Sequence, residues 1–185
     1  MGIEWTPEQY DHVYKYKESY HWHYTKSRYY GMWQGLVFKI NKTDTVLDIG
    51  CGTGQLACMI KDYGIINYIG IDFSSTAIRI AKEKCLEGDF ICEDIFNSSI
   101  IEKLEYDTVV STEFFEHIEN DFDILKRIQK LQKHIKLLIS VPDFKAPNHV
   151  RYFKNQDQIY NRYESYINDM DISVYGPCYL ITGWI

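Results

Sequence analysis

The chain has 185 residues, 45% hydrophobic and 25% charged, the proportions of a soluble globular protein of one domain that can bury a core without staples. Twenty Lys and Arg against 26 Asp and Glu leave a formal charge of −6, which repels a phosphate backbone wherever no basic patch overrides it, so nucleic acid is a disfavoured partner. Five cysteines without a CxxC pair fit neither a disulfide framework nor a cysteine zinc site and read as reduced thiols of a cytoplasmic protein. No apolar run reaches the roughly 18–20 residues of a membrane span, and residues 1–25 do not read as a secretory signal, so no membrane partner is expected.

Seven of the sixteen tyrosines and three of the four tryptophans fall within residues 5–33, a density that implies a segment covering an apolar surface. Pro7 suits a first helical turn after Thr6, with Tyr10, Val13, Tyr14 and Lys17 following on one face. A second helix is predicted over residues 29–40. From Asp44 onward short apolar runs alternate with amphipathic stretches, the pattern of βα units and a parallel sheet. The runs are residues 45–49, 68–71, 90–92, 106–111 and 136–141. Between them, residues 54–61, 75–84 and 121–130 read as helices, the second started by Ser74 and Ser75 and the third by Asn120 or Asp121. An irregular stretch, PDFKAPNHVRYF, follows. Then come a helix over residues 157–167 and two strands, 172–175 and 179–184, whose Gly176-Pro177 junction predicts an antiparallel hairpin at the sheet edge.

The run VLDIGCGTGQL, starting at Val46, takes a strand through Asp48 into three alternating glycines before a helix. Glycines there let a ligand approach the backbone, and the helix start offers unpaired N–H groups. Gln55 stands where a dinucleotide fingerprint needs a small residue, and no GxxxxGK[ST] phosphate loop is present. With YIGIDFS and CEDIF after it, the arrangement resembles the class I S-adenosylmethionine-dependent methyltransferases from Asp44 to near the end of the chain. That resemblance implies one methyltransferase domain over residues 1–185, with a helical cap over 1–43 and a Rossmann-like core over 44–185. The implied fold is α/β: a doubly wound, mostly parallel seven-stranded sheet of order 3-2-1-4-5-7-6. It also implies S-adenosylmethionine as cofactor, with Asp48, Gly50, Cys51, Gly52 and Gly54 forming the loop, Asp72 on the ribose, Asp94 near the adenine amino group, Phe73 or Ile95 on its face, and Ser111 at the end of the fourth strand.

Methyl transfer needs the acceptor lone pair in line with the S–CH3 bond, and a hydroxyl acceptor needs a base within hydrogen-bond reach. His117 and His149 follow strands whose carboxyl ends border a ligand crevice and are the candidate bases, with Glu116 beside them. Asp143 and Arg151 in the irregular stretch could orient or clamp a small acceptor, and Tyr24 among the amino-terminal aromatics could face it. The expected function is methylation of a small polar acceptor at a hydroxyl oxygen, with no metal ligand assigned. Two alternatives stand beside it. Glu113, Glu116 and His117 would share one face if helical, and ExxEH with a later histidine resembles the metal-dependent small-RNA 3′-terminal 2′-O-methyltransferases, although Ile118 replaces a further histidine of that pattern. In that reading Glu113, Glu116, His117 and His149 are ligands. The other alternative is a non-catalytic module that binds S-adenosylmethionine as a regulator. The sequence leaves the oligomeric state open.

Overall fold

The computed structural model describes residues 2–185. Seven strands form one sheet: β1 (Thr45–Ile49), β2 (Asn67–Asp72), β3 (Asp89–Cys92), β4 (Thr108–Thr112), β5 (Lys136–Pro142), β6 (Asn168–Tyr175) and β7 (Cys178–Trp184). Their order is β3-β2-β1-β4-β5-β7-β6, as the resemblance implied. The first five are parallel neighbours. β7 enters antiparallel between β5 and β6, and the hairpin that closes the sheet turns at Gly176, where φ is +58°.

Successive residues of a strand face opposite layers, and the apolar pairs Val46/Leu47, Val109/Val110 and Leu137/Leu138 serve both. Val46, Val110 and Leu138 pack under α2 (Tyr30–Val37), α3 (Gln55–Asp62) and α4 (Ser75–Lys84). Leu47, Val109 and Leu137 pack under α5 (Ile100–Lys103), α6 (Asp121–Gln129) and α7 (Gln156–Tyr163). Continuous apolar strands follow from burial on both faces. The sequence reading missed α5, a single turn too short to show periodicity, and it extended α2 and α7 three or four residues too far.

The first helix, α1 (Pro7–Tyr16), starts with Pro7 in its first turn, and the Thr6 N–H donates to Gln9 Oε1 at 2.9 Å. It buries no residue fully. Its attachment is polar: Asp11 accepts from Ser74 Oγ and from the Thr76 N–H at the start of α4, where a carboxylate also meets the positive end of the helix dipole. Two single 3₁₀ turns, Glu18–Tyr20 and Tyr24–Lys26, follow. They are tied to the glycine loop by Thr53 Oγ1, which donates to the Tyr20 carbonyl at 2.8 Å, and to the start of α3 by Gln55 Nε2, which donates to the Trp22 carbonyl at 2.7 Å. The aromatic segment is thereby laid over the carboxyl edge of β1.

On the other layer Asp121 is fully buried at the start of α6. It accepts from Arg162 Nε and Nη2 at 3.0 and 2.7 Å and from Tyr163 Oη at 2.7 Å, and Arg151 lies 3.3 Å away. Removing one member of a buried, hydrogen-bonded ion group strands the others. Asp121→Ala is therefore expected to lose about 3–5 kcal/mol of stability in urea denaturation followed by tryptophan fluorescence; a loss below about 1 kcal/mol, the range of an exposed pair, would show that the group is not holding α6 to α7.

Candidate functional site

A cavity of about 750 Å³ opens at the carboxyl edge of β1, β2, β4 and β5 under α1 and the aromatic turns. This is the crevice that an open α/β sheet presents where strand order reverses, here between β1 and β4. Its floor is the glycine loop. Gly50 and Gly54 have φ of +80° and +73°, and a Cβ on Gly50 would stand 2.5 Å from the Phe114 ring. Only glycine fits there.

Asp72 closes β2 with its carboxylate turned toward the loop: Oδ2 accepts from the Gly52 N–H at 3.0 Å and Oδ1 from the Ser74 N–H at 2.9 Å. Burial pushes its pKa up to about 6. Asp48 is buried below the loop, where Oδ2 accepts from Tyr68 Oη at 2.7 Å while Oδ1 has no partner. Burial raises it to about 7. An unpartnered buried carboxylate oxygen bordering a cavity suits a cationic or hydroxylic ligand group. Cys51, Phe73, Asp94 and Ile95 complete that wall. Gly54 and Ser111 do not face the cavity. Gly54 caps α3, and Ser111 Oγ donates to the Ile49 carbonyl at 2.8 Å, stitching β4 to β1.

Beyond β4 the structure departs from the helical expectation for residues 113–117. Glu113 takes φ +54°, and the chain then makes a turn in which the His117 N–H donates to the Phe114 carbonyl. The three side chains do not share a helical face. Glu113 is held by Ser140, whose Oγ donates to Oε1 at 3.0 Å. Glu116 points inward, 0% exposed, with neither carboxylate oxygen hydrogen-bonded. Desolvation, with Glu113 nearby, holds its carboxyl well above the ordinary range.

Two imidazoles stand beside that carboxylate. His117 Nδ1 lies 2.8 Å from the Asn148 carbonyl and His149 Nδ1 3.1 Å from the Phe144 carbonyl. A carbonyl only accepts, so each Nδ1 carries the hydrogen and each Nε2 keeps a lone pair. Burial lowers both, His117 to about 4. Each of Glu116, His117 and His149 offers one ligand atom, and these atoms lie within 4.8 Å of one another, close to the roughly 4.4 Å that two ligands of one ion can reach at bond lengths near 2.2 Å. A carbonyl fixing the far nitrogen of each imidazole is the usual support of a ligating histidine. The sequence reading named all three side chains as catalytic and assigned none to a metal; the donor set fits a divalent ion.

Three expected acceptor residues stand elsewhere. Arg151 donates to the carbonyls of Phe115, Ile118 and Glu119 and lies 3.3 Å from Asp121, so it holds the turn that carries Glu116 and is not free for a substrate. Asp143 is exposed, away from the cavity. Tyr24 is buried against α3 with its hydroxyl donating to Asp62 Oδ2 at 2.7 Å. The residues that do face the acceptor end include Tyr10, Phe144 and Asn148. Tyr10 packs edge-on against His117 and tilts against Phe73, at 5.9 and 5.5 Å between ring centres. The spacing of Tyr10 and Tyr14 on α1 was the available signal for that face.

Residues 46–136 match the family model of a methyltransferase domain. "Putative methyltransferase 235L" of Invertebrate iridescent virus 6 is 32% identical over 150 residues, covering 74% of this chain and 55% of that protein, so the chain spans little more than half the length of that relative. The crystal structure of a SAM-dependent methyltransferase from Archaeoglobus fulgidus superposes with a TM-score of 0.73 at 16% identity, over 94% of this chain and 99% of the other. The methyltransferase domain of bacterial CtHen1 gives a TM-score of 0.64 at 17% identity, over 84% and 96%. At such identities the two structures speak for the fold. Among the described residues no helix is long and apolar enough to cross a membrane. The sequence match over β1 to β5, joined to that fold, places the chain in the class I S-adenosylmethionine-dependent methyltransferases.

Proposed function

We propose that the chain transfers the methyl group of S-adenosylmethionine to a hydroxyl oxygen of a polar acceptor, with Glu116, His117 and His149 holding a divalent ion beside that oxygen. The observation that carries this reading is Glu116: fully buried, without a hydrogen-bond donor, and next to two imidazoles whose free nitrogens converge with it. Leaving a buried carboxylate unsatisfied costs several kcal/mol unless a cation or a proton meets it. Two imidazoles and one carboxylate suit Mn2+, Fe2+, Co2+ or Zn2+ better than Mg2+ or Ca2+.

S-adenosylmethionine supplies an electrophilic methyl group on a sulfonium. An ion held by Glu116, His117 and His149 would supply Lewis acidity that lowers the pKa of the bound hydroxyl, so that its proton passes to solvent water while the S–CH3 bond breaks, the O–CH3 bond forms and S-adenosylhomocysteine is left. The chain does the rest: the glycine loop admits the cofactor, Asp48 and Asp72 offer acceptors to its polar ends, and Tyr10 with Phe114 excludes water from the reacting atoms. As a metal-free base, His117 would be weak, since a proton acceptor works best with a pKa near the operating pH and burial has lowered this one to about 4. That argues for ligation over proton transfer.

The same cluster favours a second reading of the acceptor. Glu116, His117 and the later His149, three of the four ligands of the RNA 3′-terminal 2′-O-methyltransferase reading, lie together, which supports it, while Glu113 is held by Ser140 outside the cluster and the net charge of −6 argues for a small molecule. Incubation with labelled S-adenosylmethionine separates them: label on metabolite-extract hydroxyl compounds supports the small acceptor. Label on short RNAs that survives periodate oxidation, and that RNAs with a terminal diol oxidised beforehand do not acquire, supports the RNA end. Label on neither, with cofactor bound, leaves the regulatory module. Five cysteines, all free, agree with a cytoplasmic setting.

Calorimetric titration of Mn2+ into chelator-stripped protein saturated with S-adenosylhomocysteine is expected to show micromolar binding that Glu116→Ala abolishes, with Mg2+ binding about tenfold weaker or less. No Mn2+ binding, or equal binding by the variant, removes the ion from the account. Asp72→Ala is expected to raise the S-adenosylhomocysteine dissociation constant roughly 10- to 100-fold, the range of a hydrogen bond to a charged acceptor. In the wild type the same affinity should decline as pH is lowered from about 8 to 5, because carboxyls with pKa near 7 and 6 then gain protons and accept ligand donors less well. A flat profile would mean that neither carboxylate meets the cofactor.

A further inference from the structure

The acceptor end of the cavity holds one cation that nothing so far uses. Arg28 lies between the second 3₁₀ turn and α2, exposed at the cavity rim. Its guanidinium carbon stands 4.7 Å from the centre of the Tyr29 ring and 5.1 Å from that of Phe144, and Nη2 donates to Tyr29 Oη. Among the described residues, every ion pair of an arginine or lysine with a carboxylate within 4.0 Å involves another side chain. Glu113 is the carboxylate whose charge acts on Arg28, from beyond 4.0 Å, and it accepts a hydrogen bond from Ser140.

Position decides what this group faces. Phe144, on which it packs, follows the carboxyl end of β5, and Cys178, which lines a small cavity with it, starts β7, both on the far side of β4 from the glycine loop. The Phe144 ring stands 5.3 Å from the His149 ring, so one aromatic side chain separates the guanidinium from the Glu116–His117–His149 cluster. Lys17, the other basic side chain of the cavity wall, is drawn over the Tyr20 ring instead. A planar guanidinium fixed by ring contacts has its fork oriented in advance, and such a fork binds a carboxylate or phosphate bidentately.

We infer that Arg28 is an anion subsite of the acceptor pocket, and that the acceptor carries a phosphate or carboxylate a few bonds from the hydroxyl that is methylated. This rests on the reading of the cluster as the place where that hydroxyl is held. An acceptor of this kind has two points of attachment, the cation cluster for its hydroxyl and Arg28 for its oxyanion, with Phe144 between them as a surface for a sugar or other ring. The subsite sets which hydroxyl compounds are accepted, since a neutral analogue leaves the guanidinium without its partner.

The test is titration of inorganic phosphate, and separately of acetate, into the chelator-stripped full chain saturated with S-adenosylhomocysteine, for the wild type, Arg28→Lys and Arg28→Gln. Saturable binding in the wild type, weakened about tenfold or more in Arg28→Gln and less in Arg28→Lys, is expected for at least one anion. Which of the two binds identifies the oxyanion. The S-adenosylhomocysteine and Mn2+ dissociation constants should stay within about twofold of wild type, and the melting temperature of the variants should not move, since exposed substitutions are near neutral. Equal anion binding by Arg28→Gln, or none by the wild type, overturns the inference. A loss of S-adenosylhomocysteine affinity in Arg28→Gln overturns it as well, because the guanidinium then serves the cofactor's own carboxylate. Failure of the cation reading is seen separately, as absent Mn2+ binding with anion binding intact.

Discussion

Two loops that leave neighbouring strands are laced together by one arginine, and the arrangement of the site depends on it. The connection from β4 to α6 turns sharply at the sheet edge, where buried carbonyls need donors that no secondary structure supplies. Arg151 of the β5 to α7 loop provides them to Phe115, Ile118 and Glu119, while the Val150 N–H donates to the Glu116 carbonyl at 2.8 Å. Its charge is anchored by Asp121, which in turn gathers Arg162 and Tyr163. With the carbonyls of Glu116 and its neighbours tied down, the Glu116 side chain is driven inward and His117 is set opposite His149.

The cost of that arrangement is electrostatic. Four carboxyls meet burial near one cavity, and in Asp48, Asp72, Glu113 and Glu116 alike desolvation is the largest influence and raises the pKa. Hydrogen bonds relieve three of them: Tyr68 for Asp48, backbone N–H groups for Asp72, and Ser140 for Glu113. Glu116 has none. Glu116, left without a hydrogen bond next to two neutral imidazoles while the rest of the set is satisfied, is the observation that supports the proposed cation at that point.

Much of the architecture was legible because βα periodicity is a local property. The strand at Thr45–Ile49 and the helix at Ser75–Lys84 coincide with the sequence reading, the latter since Ser74 caps it by accepting from the Ala77 N–H. The glycine loop was legible for a similar reason: positive φ at Gly50 and Gly54 is a backbone demand that only one residue type meets cheaply. Side-chain direction was less accessible. Glu113, Glu116 and His117 have helical spacing, yet Glu113 in the left-handed region breaks the helix before it starts. Arg151 in a loop reads equally as a substrate clamp or as a donor to a neighbouring turn, and only the position of the Phe115, Ile118 and Glu119 carbonyls decides. Tyr24 was indistinguishable from Tyr10 by composition, and the outcome depends on which side of the cap each faces.

The claim that joins these observations is that Glu116, His117 and His149 form one ion site. Crystals of the protein grown with S-adenosylhomocysteine and soaked in Mn2+, measured above the manganese absorption edge, test it directly. The account predicts one strong anomalous peak at about 2.0–2.2 Å from a Glu116 oxygen and from Nε2 of both histidines, and loss of that peak in Glu116→Ala crystals. A peak elsewhere, or a cluster that keeps its Nε2 atoms on water or acceptor with no anomalous signal at saturating Mn2+, would contradict it.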